Sequence, residues 1–478
     1  MSQRAPKPRQ SSSSRSNNMA AAEKSSSRDP ALPRHEPVQH RHDDGNGYST
    51  LTPHIKAAGE SGRRGFGTEF FGIAFRSSCK ASRYVNILWP VVPAAIAVNF
   101  ALPDQHLAIF ILAYIAMVPC ANLVGFAGQE LGRKMPLVAG VIIETTFGSI
   151  VEIILFLVLL IREKNEEIIK AAILGSILAN LLLCLGLCFW AAGMRRDESH
   201  FSEAITEAGC GLLLTAGLGL AVPTVFTLAF QNTEGQTATA LADTVLQVSR
   251  STAVMLIIAY FVYVWFMGHT HHGIYEAVFE YDEERDHDAH KDAHKAKLTL
   301  TECVIALVVS IALVSLIAVA LVHEIHYIVE DHGVSDPFMG LILVPLVEKA
   351  AEHITAIDEA WDNQMNLALS HVLGATLQTA LFNGPFIVIV GWGMKFPMGL
   401  DFDVFNLVML ILAIITVGNF LRDQKSNYLE GFLMIVVYVI IAIAAFYNPT
   451  LPEGGGAAGE ATAEGSTSTT HERSLHGL

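Results

Sequence analysis

Long apolar runs, separated by short polar stretches, dominate the chain between residues 84 and 447. A transmembrane helix needs about 17–25 mostly apolar residues, and eleven segments of the chain have that character. They span residues 84–103, 107–127, 135–161, 171–193, 208–230, 251–268, 303–322, 337–357, 365–392, 404–421 and 431–447. This pattern predicts an all-α polytopic membrane protein with about eleven transmembrane helices.

The composition of the chain supports this prediction. Only 16% of the 478 residues are charged and the mean hydropathy is +0.40, whereas about 25% of residues are charged in soluble domains. Most charges gather at the two ends and in one central loop, so the net charge of −15 does not indicate an acidic or basic partner. The composition excludes a soluble enzyme, a coiled coil and a nucleic-acid-binding protein, and the implied partner is the lipid bilayer.

Three polar regions divide the chain. Residues 1–83 and 448–478 are rich in small, polar and charged residues, and we predict disorder because they cannot bury enough apolar surface. Residues 269–298 form an acidic, histidine-rich loop between helices 1–6 (84–268) and helices 7–11 (299–447). This loop is either a solvated connection with a short interfacial helix or a regulatory sensor of divalent metal or pH.

The distribution of basic residues predicts the orientation. Arg133, Arg195 and Arg422 lie in loops that share a side with the N-terminus. The opposite side holds residues 231–244, which contain no Lys or Arg, although the REKNEE loop at 162–167 disagrees. The positive-inside rule therefore predicts a cytosolic N-terminus and a lumenal C-terminus.

An internal repeat relates the third predicted helix to the eighth. Glu152 in GVIIETTFGSIVEII and Glu352 in GLILVPLVEKAAEHI lie at the same offset, 200 residues apart. Gly175 and Gly374 follow them 23 and 22 residues later. Five crossings separate the two copies, so the copies run in opposite directions. Inverted repeats are the architecture of secondary transporters, and we predict two inverted five-helix repeats plus an extra N-terminal helix.

Ionisable side chains lie inside the third helix (135–161) and the eighth (337–357), the predicted ion-binding helices. A charge at the bilayer centre costs about 3 kcal/mol or more, so these residues must pair with one another or line a hydrated cavity. They are Glu144 and Glu152 in the third helix and Glu348, Lys349, Glu352 and His353 in the eighth.

Neutral oxygen donors accompany these acids. Two carboxylates among such donors suit a hard cation such as Ca²⁺, which takes about 6–8 oxygen ligands. The same carboxylates can release the ion by binding protons, which is the minimum required for cation/proton antiport. The candidate ion-binding and proton-coupling residues are Glu152, Glu352, His353, Ser149, Ser176, Asn180 and Gln378, with Glu152 and Glu352 as the metal ligands and Thr379 as a neighbouring donor.

Each of these residues also has a structural interpretation. Glu144, Glu348 and Lys349 either modulate the charge of the site or form interhelical ion pairs. Glu152 and Glu352 are the strongest candidates, because a merely structural pair need not recur at equivalent positions of a repeat. His353 is either a satisfied core histidine or a proton relay, since imidazole titrates near neutral pH.

Several of these motifs resemble the cation/proton exchanger (CAX) family of the calcium/cation antiporter superfamily. The similar stretches are TTFGSIVEII, GSILANLLLCLG, SRSTAVMLIIAYFVYVWF, AAEHITAI and GATLQTALFNGPFIVIVGW. The resemblance implies eleven membrane helices, an acidic loop between two halves and vacuolar-type Ca²⁺/H⁺ exchange driven by the lumenal proton gradient. It also implies that Glu152 and Glu352 bind the ion, that His353 stands beside the second acid, and that Gln378 fills the family's polar position in helix nine.

The sequence departs from the family pattern where the ion would bind. Glu144 and Ser149 replace the two asparagines of the usual NATFGNAxE, and Glu348-Lys349 replaces the Gly-Asn of GNAAEH. An ammonium three residues from Glu352 repels a divalent ion unless Glu348 or Glu144 neutralises it. Ca²⁺ is the favoured substrate, Na⁺ or K⁺ is the alternative, and Mn²⁺ stays open.

Other classes of protein predict different behaviour. An ion channel would conduct without proton counterflow, and an intramembrane enzyme would need a motif such as HExxH, which is absent from the sequence. The sequence also lacks a GxxxxGK[ST] phosphate loop, so we expect no cofactor beyond the transported Ca²⁺ and H⁺. The WDNQMN sequence resembles a fungal branch of the family, which implies the vacuolar membrane, and homo-oligomerisation stays open.

Overall fold

The computed structural model describes residue 63 and residues 65–232, 237–287 and 295–448. Within these ranges, ten helices are long and apolar enough to cross a membrane. They are α1 Lys80–Ala101, α2 His106–Gly132, α3 Leu137–Glu163, α4 Glu166–Gly193, α5 Glu203–Phe230, α6 Ala238–Thr270, α7 Leu300–His332, α9 Met365–Gly393, α10 Val404–Leu421 and α11 Tyr428–Phe446.

The remaining predicted span, α8, is helical over residues 336–361. Its acids, Lys349 and His353 make it more polar than the other ten helices. The predicted all-α polytopic fold is therefore confirmed. Two further helices accompany the spans, the N-terminal helix Glu69–Arg76 and the loop helix His272–Arg285, with a two-residue antiparallel pairing of β1 Ser199–His200 and β2 Lys425–Ser426.

The described residues correct one predicted boundary. Disorder was predicted through residue 83, yet Glu69–Arg76 is helical and α1 already begins at Lys80. The short helix is amphipathic, and burial of its Phe70 and Ile73 against the rest of the protein stabilises it. The polar residues on both sides of this segment are the reason that the sequence did not indicate a helix here. The rest of the N-terminal tail (1–62) and residues 449–478 lie outside the described residues.

Two helices form the centre of the bundle. In the most apolar 18 residues, 89% are buried in α4 and 78% in α9, against 17% in α1 and in α6. Large apolar side chains such as Phe261 and Trp265 of α6 are exposed on the outside of the bundle, where a lipid bilayer would surround them. The other helices are therefore arranged around the buried pair α4 and α9.

Each central helix packs closely against the acidic helix of the other repeat. A Cβ atom on Gly175 of α4 would overlap the carbonyl of Leu341 in α8. A Cβ atom on Gly374 of α9 would contact Thr145 of α3 at 3.5 Å. These reciprocal contacts, α4 on α8 and α9 on α3, fit the predicted inverted repeats.

Wide π-helical turns interrupt both central helices at the same level. They cover Ala179–Cys184 in α4 and Thr379–Asn383 in α9. A π-turn inserts one residue into the helical ladder and redirects the side chains around it, and such turns are frequent at functional sites. The two turns direct Asn180 from α4, and Thr379 and Asn383 from α9, towards the acidic helices.

The two acidic helices differ in continuity. Helix α3 is interrupted at Ser149, where ψ is −4°, and its second half Ile150–Val158 carries Glu152 in its first turn. The partial positive charge at a helix N-terminus stabilises a carboxylate placed there. Helix α8 runs without a break from Val344 to Trp361, so Glu352 lies in the middle of a helix.

Candidate ion-binding site

A buried ammonium group lies between the two repeat-related carboxylates. Lys349 Nζ is 2.7 Å from Glu152 Oε2 and 3.2 Å from Glu352 Oε2. The side chains of Lys349 and Glu152 are each 1% exposed, whereas that of Glu352 is 18% exposed. The interface of α3 and α8 therefore brings both predicted acids to a single positive charge.

Helix α9 supplies the remaining partners of Glu152. Thr379 Oγ1 lies 2.8 Å from both carboxylate oxygens, and Asn383 Nδ2 donates to Oε2 at 2.8 Å. Sequence reasoning named Thr379 only as a neighbouring donor and missed Asn383. The available signal was an amide within the apolar run TALFNGPFIVIV, at a position that only the π-turn directs inward.

Three predicted donors reach the interior without a hydrogen-bond partner. The side-chain oxygens Ser149 Oγ, Ser176 Oγ and Gln378 Oε1 are buried and make no hydrogen bond among the described residues. A buried polar atom without a partner costs about 1–3 kcal/mol. Binding of a cation to these oxygens would remove this cost. The donor set therefore fits a hard cation that prefers oxygen ligands.

The predicted residue His353 connects the two repeats. Its Nε2 lies 3.1 Å from Asn180 Oδ1, so the ring joins α8 to the π-turn of α4. This contact uses the amide oxygen of Asn180, whereas Asn180 Nδ2 makes no hydrogen bond in the described part of the chain. A core histidine and a proton relay could both make this contact, so both interpretations of His353 stay open.

The three residues predicted to modulate the charge take different positions. Lys349 is neutralised by Glu152 and Glu352, the two candidate ligands. The sequence had suggested Glu348 or Glu144 as the neutralising residue. Both carboxylate oxygens of Glu348 are buried without a hydrogen bond in the described residues. Glu144 lies eight residues before Glu152, about 12 Å along the helix, and its Oε2 is 3.6 Å from His371 Nε2.

A small cavity adjoins the acid pair. Its volume is about 40 Å³, and Glu348, Glu352 and His353 line it, together with Glu144 and His371 farther along. One water needs roughly 10–15 Å³ of such space, so the cavity can hold about three waters. Glu352 lines this cavity whereas Glu152 does not, so the cavity borders one acid of the pair and not the other.

The loop helix packs over the end of the bundle that this cavity approaches. Asp282 of the loop helix is 2% exposed and accepts hydrogen bonds from Asn366 Nδ2 at 2.8 Å and from Leu367 N at 3.0 Å, both at the start of α9. Burial raises the pKa of the Asp282 carboxyl to about 6, and the hydrogen bonds from Asn366 and Leu367 oppose this rise. The acidic loop therefore contains a helix, and this helix is anchored to the start of α9.

Comparison with known sequences and structures places these features in a family. The sequence profile described as sodium/calcium exchanger protein matches residues 105–268 and 303–447. The chain is 31% identical to the vacuolar calcium ion transporter of Schizosaccharomyces pombe over 377 residues, covering 79% of this chain and 88% of the relative. It is 33% identical to the Ca²⁺/H⁺ antiporter of Aphanothece halophytica over 357 residues, covering 73% and 93%.

The fold is also similar to a solved transporter. The structure of the Ca²⁺/H⁺ antiporter protein YfkE matches with a TM-score of 0.60 and 27% identity. The match covers 76% of this chain and 99% of that protein. Both halves of the chain, with the acidic helices α3 and α8, therefore lie within regions shared with transporters.

Proposed function

The chain belongs to the sodium/calcium exchanger protein family, and on that premise we propose that it is a Ca²⁺/H⁺ antiporter of the vacuolar membrane. Glu152 and Glu352 bind Ca²⁺ and protons in turn, and the proton gradient of an acidic lumen drives Ca²⁺ out of the cytosol. The N-terminus and the loop helix face the cytosol. The names of the relatives in S. pombe and A. halophytica support this assignment.

The charge of the buried site carries the proposal. Glu152, Glu348 and Glu352 together with Lys349 form a cluster in which three carboxylates and one ammonium have a net charge of −2 when all are ionised. Uncompensated charge is costly in a buried site. One Ca²⁺ or two protons cancel this charge, whereas a single Na⁺ or K⁺ leaves −1, so the site favours the divalent ion over the monovalent alternative.

Lys349 gives the site an internal competitor for Ca²⁺. Ca²⁺ approaches through the cavity, reaches Glu352 first because this acid lines the cavity, and displaces the ammonium from the pair. Glu348 precedes Lys349 in the chain, and its buried carboxylate accepts the displaced ammonium. The oxygens of Ser149, Ser176 and Gln378 complete the shell around the ion.

Transport in liposomes tests the proposal. The purified protein is reconstituted in vesicles with an acidic interior and an enclosed pH dye, and Ca²⁺, Na⁺, K⁺ and Mn²⁺ are added outside in turn. We expect Ca²⁺ to drive proton efflux, and we expect Glu152→Gln and Glu352→Gln to abolish it. Glu198→Gln is the matched control, since this carboxylate is 55% exposed and pairs with Lys425 at 3.3 Å.

Two results would contradict the proposal. Full Ca²⁺-driven efflux in Glu152→Gln would show that the repeat-related acids do not bind the substrate. Efflux with Na⁺ or K⁺ and none with Ca²⁺ would instead support the monovalent exchanger.

A further inference from the structure

A second cluster of metal-ligating side chains lies apart from the acid pair. Glu144 of α3, Glu359 of α8 and His371 of α9 each bring one ligand atom within 4.8 Å of the others. His371 Nδ1 is 2.8 Å from Glu359 Oε2, and His371 Nε2 is 3.6 Å from Glu144 Oε2. Three helices therefore contribute one ligand each to the same point.

This cluster lies nearer the loop helix than the acid pair does. Glu144 precedes Glu152 by eight residues on α3 and Glu359 follows Glu352 by seven on the antiparallel α8, so each lies about 10–12 Å along its helix in the same direction. Glu144 and His371 line the cavity that also contains Glu352. The cluster thus stands beside the route from the loop helix to the acid pair.

The burial of the cluster indicates a ligand rather than a solvated charge patch. The side chains of Glu359 and His371 are 8% and 11% exposed, and that of Glu144 is 19% exposed. The buried Glu359 Oε1 makes no hydrogen bond among the described residues. A carboxylate oxygen buried beside two further ligand atoms has a strong preference for a positively charged partner.

The ligand types select a particular class of metal ion. Ca²⁺ and Mg²⁺ bind oxygen ligands, whereas an imidazole nitrogen beside carboxylates suits zinc and related transition-metal ions. Three protein ligands with a fourth position for water form a familiar zinc geometry. Ligand atoms in such a tetrahedron lie about 3.4 Å apart, so the three side chains need only modest movements from their present positions.

We propose that Glu144, Glu359 and His371 form a second divalent-cation site that binds a borderline transition-metal ion such as Zn²⁺. The ion takes the place of the proton that His371 Nδ1 shares with Glu359, and Glu144 supplies the third ligand. Because the ion then stands beside the cavity that leads to Glu352, it blocks the approach of Ca²⁺. This last consequence rests on the proposed antiport function, whereas the metal site itself does not.

Metal binding to the purified full chain tests the site directly. The protein in detergent is stripped with a chelator and titrated with Zn²⁺ against a fluorescent zinc indicator, and Co²⁺ is added separately to record its visible spectrum. We expect one tight site whose affinity falls by more than about tenfold in His371→Gln and in Glu359→Gln, which is the smallest loss typical of disrupting a metal ligand's surroundings. The Co²⁺ absorption of a nitrogen-containing site should disappear in His371→Gln.

The matched control is His106→Gln. His106 Nδ1 also pairs with a carboxylate at 2.8 Å, that of Glu324, yet among the described residues only Glu144, Glu359 and His371 bring three such ligand atoms within 4.8 Å of one another. This variant should retain the tight site. Size-exclusion profiles identify variants that fail to fold. If His371→Gln fails to fold, the Zn²⁺ affinity of the conservative variant Glu359→Gln tests the site instead.

Two outcomes would overturn the proposal. Equal Zn²⁺ affinity in the wild-type protein, His371→Gln and Glu359→Gln would place the zinc elsewhere, for example on the histidine-rich loop. Displacement of Zn²⁺ by an equal concentration of Ca²⁺ would refute the nitrogen-based selectivity.

Transport then tests the blocking effect. In the liposomes, Zn²⁺ should inhibit Ca²⁺-driven proton efflux in the wild-type protein and much less in His371→Gln. Zinc binding without any Ca²⁺-driven efflux would retain the metal site and refute the antiport, so the two claims fail separately. Zinc binding with uninhibited efflux would refute the blocking effect.

Discussion

The acidic helices of the two repeats differ in both continuity and chemistry. In the first repeat, positions 148 and 149 are Gly and Ser, and the equivalent positions of the second repeat are Glu348 and Lys349. The first repeat supplies a broken helix and a deeply buried carboxylate, Glu152, which is 1% exposed. The second repeat supplies a continuous helix, a carboxylate that borders the cavity, and an internal cation.

This difference assigns unequal roles to the two acids. Glu152 is held by Lys349, Thr379 and Asn383, so its position is fixed. Glu352 has Lys349 at 3.2 Å and lines the cavity. The repeat-related pair thus consists of one firmly held acid and one acid that borders the cavity, because the residues around the two acids differ.

Replacement of Lys349 should have the largest effect on this asymmetry. In Lys349→Gln, the two buried acids Glu152 and Glu352 lose their common partner, and breaking a buried ion pair in this way costs about 3–5 kcal/mol. We expect a lower melting temperature without Ca²⁺ and a larger rise on adding Ca²⁺ than in the wild-type protein. Thermal unfolding in detergent, followed by tryptophan fluorescence, measures both.

The double variant Glu348→Gln/Lys349→Gln is the control for Lys349→Gln. It retains Glu152 and Glu352 and again has a charge of −2, so it should recover stability and bind Ca²⁺ with a lower half-saturating concentration than the wild-type protein. A Lys349→Gln variant as stable without Ca²⁺ as the wild-type protein would show that the ammonium is not the partner of the pair.

Loss of the Thr379 hydroxyl should release the fixed acid. Thr379→Val removes a hydrogen bond to the carboxylate of Glu152 at 2.8 Å, and a bond to a charged group contributes about 1.5–3 kcal/mol. The half-saturating Ca²⁺ concentration for proton efflux should change by about tenfold or more. Thr376→Val is the matched control on the same helix, since that hydroxyl bonds only to the Val372 carbonyl at 2.6 Å.

A methyl group at Gly148 should affect Glu352, the acid that borders the cavity. An ideal Cβ there would lie 2.5 Å from Glu352 Oε1, so in Gly148→Ala the carboxylate must move. Because that atom is the end of a flexible side chain, we expect the substitution to cost about 1 kcal/mol, which is the lower limit for overpacking. The half-saturating Ca²⁺ concentration should therefore rise about fivefold. Gly418→Ala is the control, because a Cβ atom at Gly418 would have open space around it. This variant should leave the half-saturating Ca²⁺ concentration unchanged.

The repeats also differ in how their central helices begin. Asn165 directly precedes α4 and caps it, because its side chain accepts hydrogen bonds from the backbone N–H groups of Glu167 and Ile168. Helix α9 has no such cap from its own Gln364, and Asp282 of the loop helix accepts from Leu367 N instead. The second repeat therefore depends on the central loop for an interaction that the first repeat makes locally.

This dependence predicts a pH effect, the smallest of the series. Burial raises the pKa of Asp282 from 3.8 to about 6 when the loop helix is docked, so docking is favoured by protonation. The added stability is fully present below pH 3.8, declines as the pH rises through about 6, and is constant above. Hydrogen exchange of residues 272–285, corrected for its intrinsic pH dependence, should be faster at pH 7.5 than at pH 4.5.

Asp282→Asn separates this effect from general acid stabilisation. The variant keeps an acceptor oxygen for Leu367 N and has no titrating proton, so its corrected exchange should be the same at both pH values. An unchanged pH dependence in Asp282→Asn would assign the effect to a titrating group other than Asp282.

Much of the fold could be predicted from the sequence. The apolar runs define the spanning helices because a bilayer imposes a length on each of them. The acid pair could be predicted as well, since Glu152 and Glu352 recur 200 residues apart in similar surroundings. Both signals are periodic or repeated along the chain, and such signals survive without a three-dimensional structure.

Contacts between helices could not be predicted in this way. The π-turns that direct Asn180 and Asn383 inward leave no distinctive pattern in the sequence. Glu359 and His371 lie near the ends of different helices, and neither suggests a site until the fold brings them to Glu144. The position of Lys349 between the two acids likewise depends on the rotation of α8 against α3, which no single sequence reveals.

The charge balance of one Ca²⁺ for two protons is the central claim, and the voltage dependence of exchange tests it most directly. Ca²⁺ accumulation at a fixed pH gradient would be measured in liposomes whose membrane potential is set by K⁺ and valinomycin. A site of charge −2 that exchanges one Ca²⁺ for two protons predicts an electroneutral cycle, so the final Ca²⁺ gradient should not change with voltage. A gradient that shifts with voltage would contradict the account, because a different number of protons would then balance each ion.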